Sequence, residues 1–135
     1  MNLLSNSSFQ RLQSGLDAAN LRNQVLANNI ANVDTPYFKR SDVAFESLLQ
    51  EEMNGVKSSL PGKRTDSRHF VIGPSSHIPE MSVKTDDSSS MNNNGNNVDV
   101  EREMSLLAEN QLKYNAYVQS VNDQIRIMRA AVEGR

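Results

Sequence analysis

His69 and His77 are the residues of this 135-residue chain best suited to metal or acid–base chemistry. They stand eight apart in segments without a regular apolar period. Neither fits a His-Glu-x-x-His pattern, in which two imidazoles share one helix face, and turn or surface histidines suit the context better. Asp86 and Asp87, followed by Ser88–Ser90 and a run of asparagines, offer oxygens to a hard cation. The spacing and terminal bidentate Glu of a calcium loop are absent, so a solvated loop is the stronger reading. "LPGKR", residues 60–64, is too poor in glycine to cradle a phosphate. No serine sits in the Gly-x-Ser-x-Gly context of a hydrolase nucleophile. The Asn6-Ser7-Ser8 sequon falls at a helix start and carries no weight. Lys39 and Arg40, with Lys63, Arg64 and Arg68, are interspersed with acids and lack an aromatic platform, which argues against nucleic acid. Salt bridges between neighbouring subunits are the expectation for them. With no cysteine, thiol chemistry and disulfides are excluded as well. No catalytic, cofactor-binding or metal residue is expected, and no enzymatic activity or small-molecule substrate.

The totals point the same way. A formal charge of −2 provides no global attraction to nucleic acid or an acidic membrane. No Trp, four Phe and three Tyr leave little material for a sizeable core. No apolar run approaches the roughly 20 residues that span a bilayer. "MNLLSNSSFQRL" has neither the basic start nor the continuous apolar stretch of a cleavable secretory signal.

Positioning elements are therefore the main content of the sequence. Phe9, Leu12, Leu16, Ala19, Leu26, Ile30 and Val33 recur at alternating spacings of three and four, with Asn23 in the missing position. That is the seam of a helix lying along another helix, with Ser7 and Gln10 as a capping box. A second line runs beside it through Ala18, Leu21, Val25, Asn28 and Asn32, enough for contact with more than one neighbour. Met104, Leu107, Tyr114, Val118, Val121, Ile125, Met128 and Val132 repeat the alternation near the C-terminus, interrupted at Gln111. Asn97 or Asp99 can cap that helix. Between them, residues 41–53 read as a short helix, "HFVIG" and "MSVKT" as short strands, and residues 85–97 as a mobile polar loop. The expected fold is all-α: two long terminal helices, over 1–33 and 98–135, packing as a coiled-coil-like hairpin around a small irregular region, 34–97.

The first helix carries Asn20, Asn23, Asn28, Asn29 and Asn32. At about 0.6 kcal/mol each relative to alanine they remove roughly 3 kcal/mol of helical tendency, and Gly15 removes about 1 more. Such a helix needs partners, and close helix packing is expected of its asparagines and of Ala27 and Ala31. Pro36 stops it by disfavouring helical geometry at Thr35, and Asp34 and Thr35 can cap the turn.

"LANNIANVDTPYFKR", residues 26–40, resembles the signature Ala-Asn-Asn-x-Ala-Asn-x-x-Thr-Pro-Gly-Tyr of flagellar rod, hook and hook-associated proteins. Ala27, Asn28, Asn29, Ala31, Asn32, Thr35 and Pro36 match it. Tyr37 stands where the family often has glycine, and a bulky residue there predicts a type I turn or an extended exit. "KRTDSRHF" and the block "NGNNVDVEREMSLLAENQLKYNAYVQ", residues 94–119, are similar to segments of the family's proximal-rod members. The resemblance implies a structural, non-enzymatic rod subunit of the basal body, exported uncleaved through the flagellar type III apparatus to the periplasmic rod. Implied partners are copies of itself, other rod proteins, and the adaptor, membrane ring and export gate at the rod base. Assembly contacts are expected from Leu12, Leu16, Leu26 and Ile30 on one helix and Leu107, Tyr114, Val118, Val121, Ile125 and Met128 on the other. The rival reading is a cytoplasmic helical-hairpin adaptor or chaperone that binds a partner helix through the same seams.

Overall fold

The computed structural model describes residues 7–56 and 79–134. Helix α1 spans Ser7–Ala31, strand β1 Ser41–Ala44, helix α2 Glu46–Val56, strand β2 Ser82–Thr85 and helix α3 Val100–Glu133. The expected strand "HFVIG", both histidines, and Lys63, Arg64 and Arg68 lie outside the described residues.

α1 and α3 pack antiparallel, as their contacts show. Gly15 meets Tyr117, Asn110 donates to the Ala19 carbonyl, and Asn29 donates to Glu103. A Cβ at Gly15 would lie 2.9 Å from Tyr117 Cε1, so the missing side chain is what lets the ring rest on the helix backbone. Every position of the α1 seam is buried or half-buried, Ala19 and Leu26 fully. The second line on α1 also finds its neighbour within the chain. Ala18 joins Val43 and Phe45 in a small apolar core, with Leu21, Val25 and Leu49 around it.

In α3 the fully buried positions are Glu103 and Asn110, one residue ahead of Met104 and Gln111. Leu107, Tyr114, Val118, Val121 and Met128 are half-buried, while Met104 and Val132 are 56% and 70% exposed. Polar side chains with matched partners on α1 occupy the inner line, and the apolar line flanks it.

Two local expectations are corrected. Residues 41–44 form a strand, not the first turn of a helix, and α2 begins only at Glu46. β1 pairs antiparallel with β2, Ser41 opposite Thr85 and Ala44 opposite Ser82. The strand wins because Ser41 has its N–H and C=O both taken by the Asn29 side-chain amide, at 3.0 and 2.8 Å. That amide serves as a pseudo-strand partner on the side away from β2, a conformation that a helical Ser41 could not adopt.

Tyr37 adopts φ 60°, the left-handed region, not a type I or extended exit. Its N–H donates to the Asn94 carbonyl at 3.0 Å, and its ring lies against Gly95, where a Cβ would approach Cδ1 to 2.9 Å. Residues 86–97, finally, form defined turns. Asp86 accepts from Ser88 N–H, Ser88 Oγ and Ser89 Oγ, and Asn96 and Asn97 are buried.

α3 starts at an Asp99 cap whose carboxylate accepts from the Glu101 and Arg102 N–H groups, and ends at Gly134 with φ 69°. No helix among the described residues is long and apolar enough to cross a membrane.

Candidate functional site

Among the described residues, most of the large side chains that are fully buried are polar. Asn29, Arg40, Asn96, Asn97 and Glu103 converge where the end of α1, the start of β1, the turns after β2 and the first turn of α3 meet. A buried carboxylate is tolerable only if its oxygens are satisfied. Glu103 accepts from Arg40 Nε through Oε1 and from Asn29 Nδ2 through Oε2, each at 2.8 Å. Arg40 Nη2 is buried without a hydrogen-bond partner. The guanidinium's charge is therefore answered mainly by Glu103, which makes the pair interdependent.

The two neighbouring asparagines complete the junction. Asn97 Oδ1 accepts from Arg40 N–H at 2.7 Å, and its Nδ2 donates to the Asp86 carbonyl and Ser89 Oγ. Asn96 Nδ2 reaches the carbonyls of Asn32, Val33 and Thr35 at 2.9 to 3.0 Å. Those carbonyls lie at and just beyond the end of α1, where a helix has acceptors without intrahelical donors. The cap thus comes from a residue more than sixty positions away, not from Asp34. Thr35 Oγ1 donates to Asn32 Oδ1, and Asn32 Nδ2 to Asn28 Oδ1, fixing the turn from within. Lys39 Nζ donates to the Ser89 and Gly95 carbonyls. Lys39 and Arg40 are thus both engaged inside the chain.

The first-helix asparagines divide by task. Asn29 is buried at the junction, Asn23 accepts from Asn110 Nδ2, Asn28 and Asn32 bond each other, and Asn20 is exposed. Of the remaining signature residues, Ala27, Ala31, Thr35 and Pro36 are exposed. Leu26 is buried, Leu12, Leu16 and Ile30 are half-buried, and Ile125 is exposed. A second charged contact holds α2 to both long helices. Arg22 forms a bidentate pair with Glu46, to which Lys113 Nζ adds at 3.7 Å. The Arg22 hydrogen bond holds the Glu46 carboxyl below the usual carboxylate range.

The comparisons with known proteins bear on both halves of this junction. A family model described as "Flagella basal body rod protein" matches residues 9–39, which is α1 and the turn after it. The flagellar basal body rod protein FlgB of Bacillus subtilis (strain 168) is 36% identical over 97% of this chain and 97% of its own length. The chain belongs to the FlgB family of flagellar basal body rod proteins. FlgB of Borreliella burgdorferi is 40% identical over 74% of this chain and 76% of its own. That of Proteus mirabilis (strain HI4320) is 33% identical over 94% of each.

Arg40 was read from the sequence only as part of a basic cluster and Asn97 only as a possible helix cap, while Asn96 and Glu103 were given no partner. One signal for them was present: Glu103, Asn110 and Tyr117 recur every seven residues along α3. A polar heptad line of that kind is what a matched polar seam looks like.

Proposed function

We propose that this chain is a structural subunit of the proximal flagellar rod, which assembles with other rod proteins and with copies of itself. The observation that carries the reading is the outward surface of α3. Leu112 and Ile127 are each about seven-tenths exposed, on a helix whose inner line is already filled by Glu103, Asn110 and Tyr117. An apolar surface of that kind on a long helix is suited to further helix packing, and relatives named as rod proteins support the assembly to which it belongs. On this reading the subunit leaves the cytoplasm uncleaved through the flagellar type III apparatus. It reaches the periplasmic rod, sits near the adaptor, membrane ring and export gate, and transmits torque through many shallow helix contacts. Leu12, Leu16, Ile30, Leu107, Tyr114, Val118, Val121 and Met128 contribute the half-buried edges of those contacts, and the exposed Ile125 adds to them.

The test uses residues that the isolated fold does not need. Leu112→Glu and Ile127→Glu subunits are expected to keep the helix content of the parent by circular dichroism and to be missing from purified basal bodies. Ile30→Asp and Val121→Asp abolish incorporation as well. Normal motility with the two exposed-site variants in the rod would refute the assembly role of α3.

A further inference from the structure

We propose that Asn94–Gly95 is a site of spontaneous covalent modification, where conversion of the asparagine to isoaspartate opens the clasp over the end of α1. Asn94 is exposed and is followed by the one residue type with no Cβ to obstruct its own nitrogen. The Asn94 side chain is already folded back toward the following backbone, its Oδ1 accepting from Asn96 N–H at 3.1 Å. Gly95 has φ 78°.

The chemistry needs only water. The Gly95 nitrogen, deprotonated by hydroxide, attacks Asn94 Cγ, and the bond from Cγ to the side-chain nitrogen breaks. Ammonia leaves and a five-membered imide remains. Water then opens the ring at either carbonyl. Addition at the side-chain carbonyl gives aspartate, and addition at the main-chain carbonyl gives isoaspartate. Water enters, ammonia leaves, and nothing is oxidised or reduced. In the closed turn the Gly95 N–H is held by the Asn92 carbonyl at 3.0 Å, so attack is gated by opening of that turn. Folding slows the reaction and does not abolish it.

Its position gives it a consequence. The Asn94 carbonyl accepts Tyr37 N–H, the Gly95 carbonyl accepts Lys39 Nζ, and Asn96 caps the carbonyls beyond α1. An isoaspartyl link routes the main chain through Cβ, lengthens it by one bond, and puts a carboxylate where the Asn94 carbonyl was. The Tyr37 clip and the Asn96 cap then no longer hold the same register.

The full chain is incubated in mildly alkaline buffer, folded and in denaturant, then mapped by peptide mass and by isoaspartyl methyltransferase labelling. Asn54–Gly55, the sequence's other Asn-Gly pair, serves as internal reference in the denatured sample. Label at Asn94 is expected in both samples, several-fold slower when folded, and not at Asn92, Asn93, Asn96 or Asn97. The modified fraction should exchange the Tyr37 and Phe38 amide hydrogens faster than the unmodified fraction. Asn94→Ser, which keeps an acceptor for Asn96 N–H, should retain slow exchange throughout. A folded chain unmodified at Asn94 while the denatured chain converts would overturn the proposal. Conversion without faster exchange at Tyr37, or equal loosening in Asn94→Ser, would overturn it too.

Discussion

Glu103 has no solvent contact, and both its oxygens are engaged. Removing one member of such a pair leaves the other charge buried and uncompensated. Glu103→Ala should therefore lower stability by about 3–5 kcal/mol in urea unfolding. Asn29→Ala strands two Ser41 backbone groups and should cost about 2 kcal/mol. Tyr37 runs the other way. Its left-handed backbone costs roughly 1–2 kcal/mol, and an 81% exposed ring recovers little of that by burial. Tyr37→Gly should raise the midpoint of thermal unfolding, and a fall would mean that the ring's contact with Gly95 outweighs the strain. Hydroxyl and amide donors from Ser88 and Ser89 pull Asp86 down to about 2. Because its folded pKa is depressed, its contribution to stability is complete above the ordinary aspartate range, near pH 4, and lost as pH falls toward 2. Asp86→Asn should flatten an acid titration of stability in that window. At this scale the sequence was only partly readable. The signature asparagines stood out because they oppose helix formation, but the partners of Asn29 lie in Ser41 and Glu103, and no local rule connects them.

Among the elements, α1 was legible because its periodicity is apolar and its stop is a proline. The apolar period of α3 was equally visible, yet it marked a line one residue away from the buried one. Hydrophobicity locates an inner face only when that face is apolar. Here Glu103 and Asn110 are stable inside because α1 presents polar atoms opposite them. β1 was misread for a related reason: Val43 and Phe45 suit helix or strand equally, and Asn29 decides between them. The Gly15–Tyr117 contact gives a test at this scale. Gly→Ala within a helix ordinarily gains about 1 kcal/mol. Gly15→Ala should fail to show that gain while Tyr117 occupies the space, and should show it in a Tyr117→Ala background. A double-mutant cycle measured by urea unfolding reads the difference directly.

As a whole molecule, the subunit is a hairpin tied at one end by a polar junction and along its length by few apolar contacts. The two motifs that mark the family by sequence meet there in space. The ties span most of the chain: Asn29 to Glu103 closes 74 positions, and Asn110 to Ala19 closes 91. Long closures slow folding, because chain entropy is lost before the contact rewards it. A subunit made or threaded from its N-terminus therefore cannot finish its first helix until its last quarter has arrived. Refolding should be rate-limited by that encounter. A chain ending at Asp99 should show little of the α1 signal in circular dichroism, however long it is left, and a separate peptide of residues 100–135 should restore it in a concentration-dependent phase. The timing of order is thus set by the far end of the polypeptide: what is made first is the last to settle.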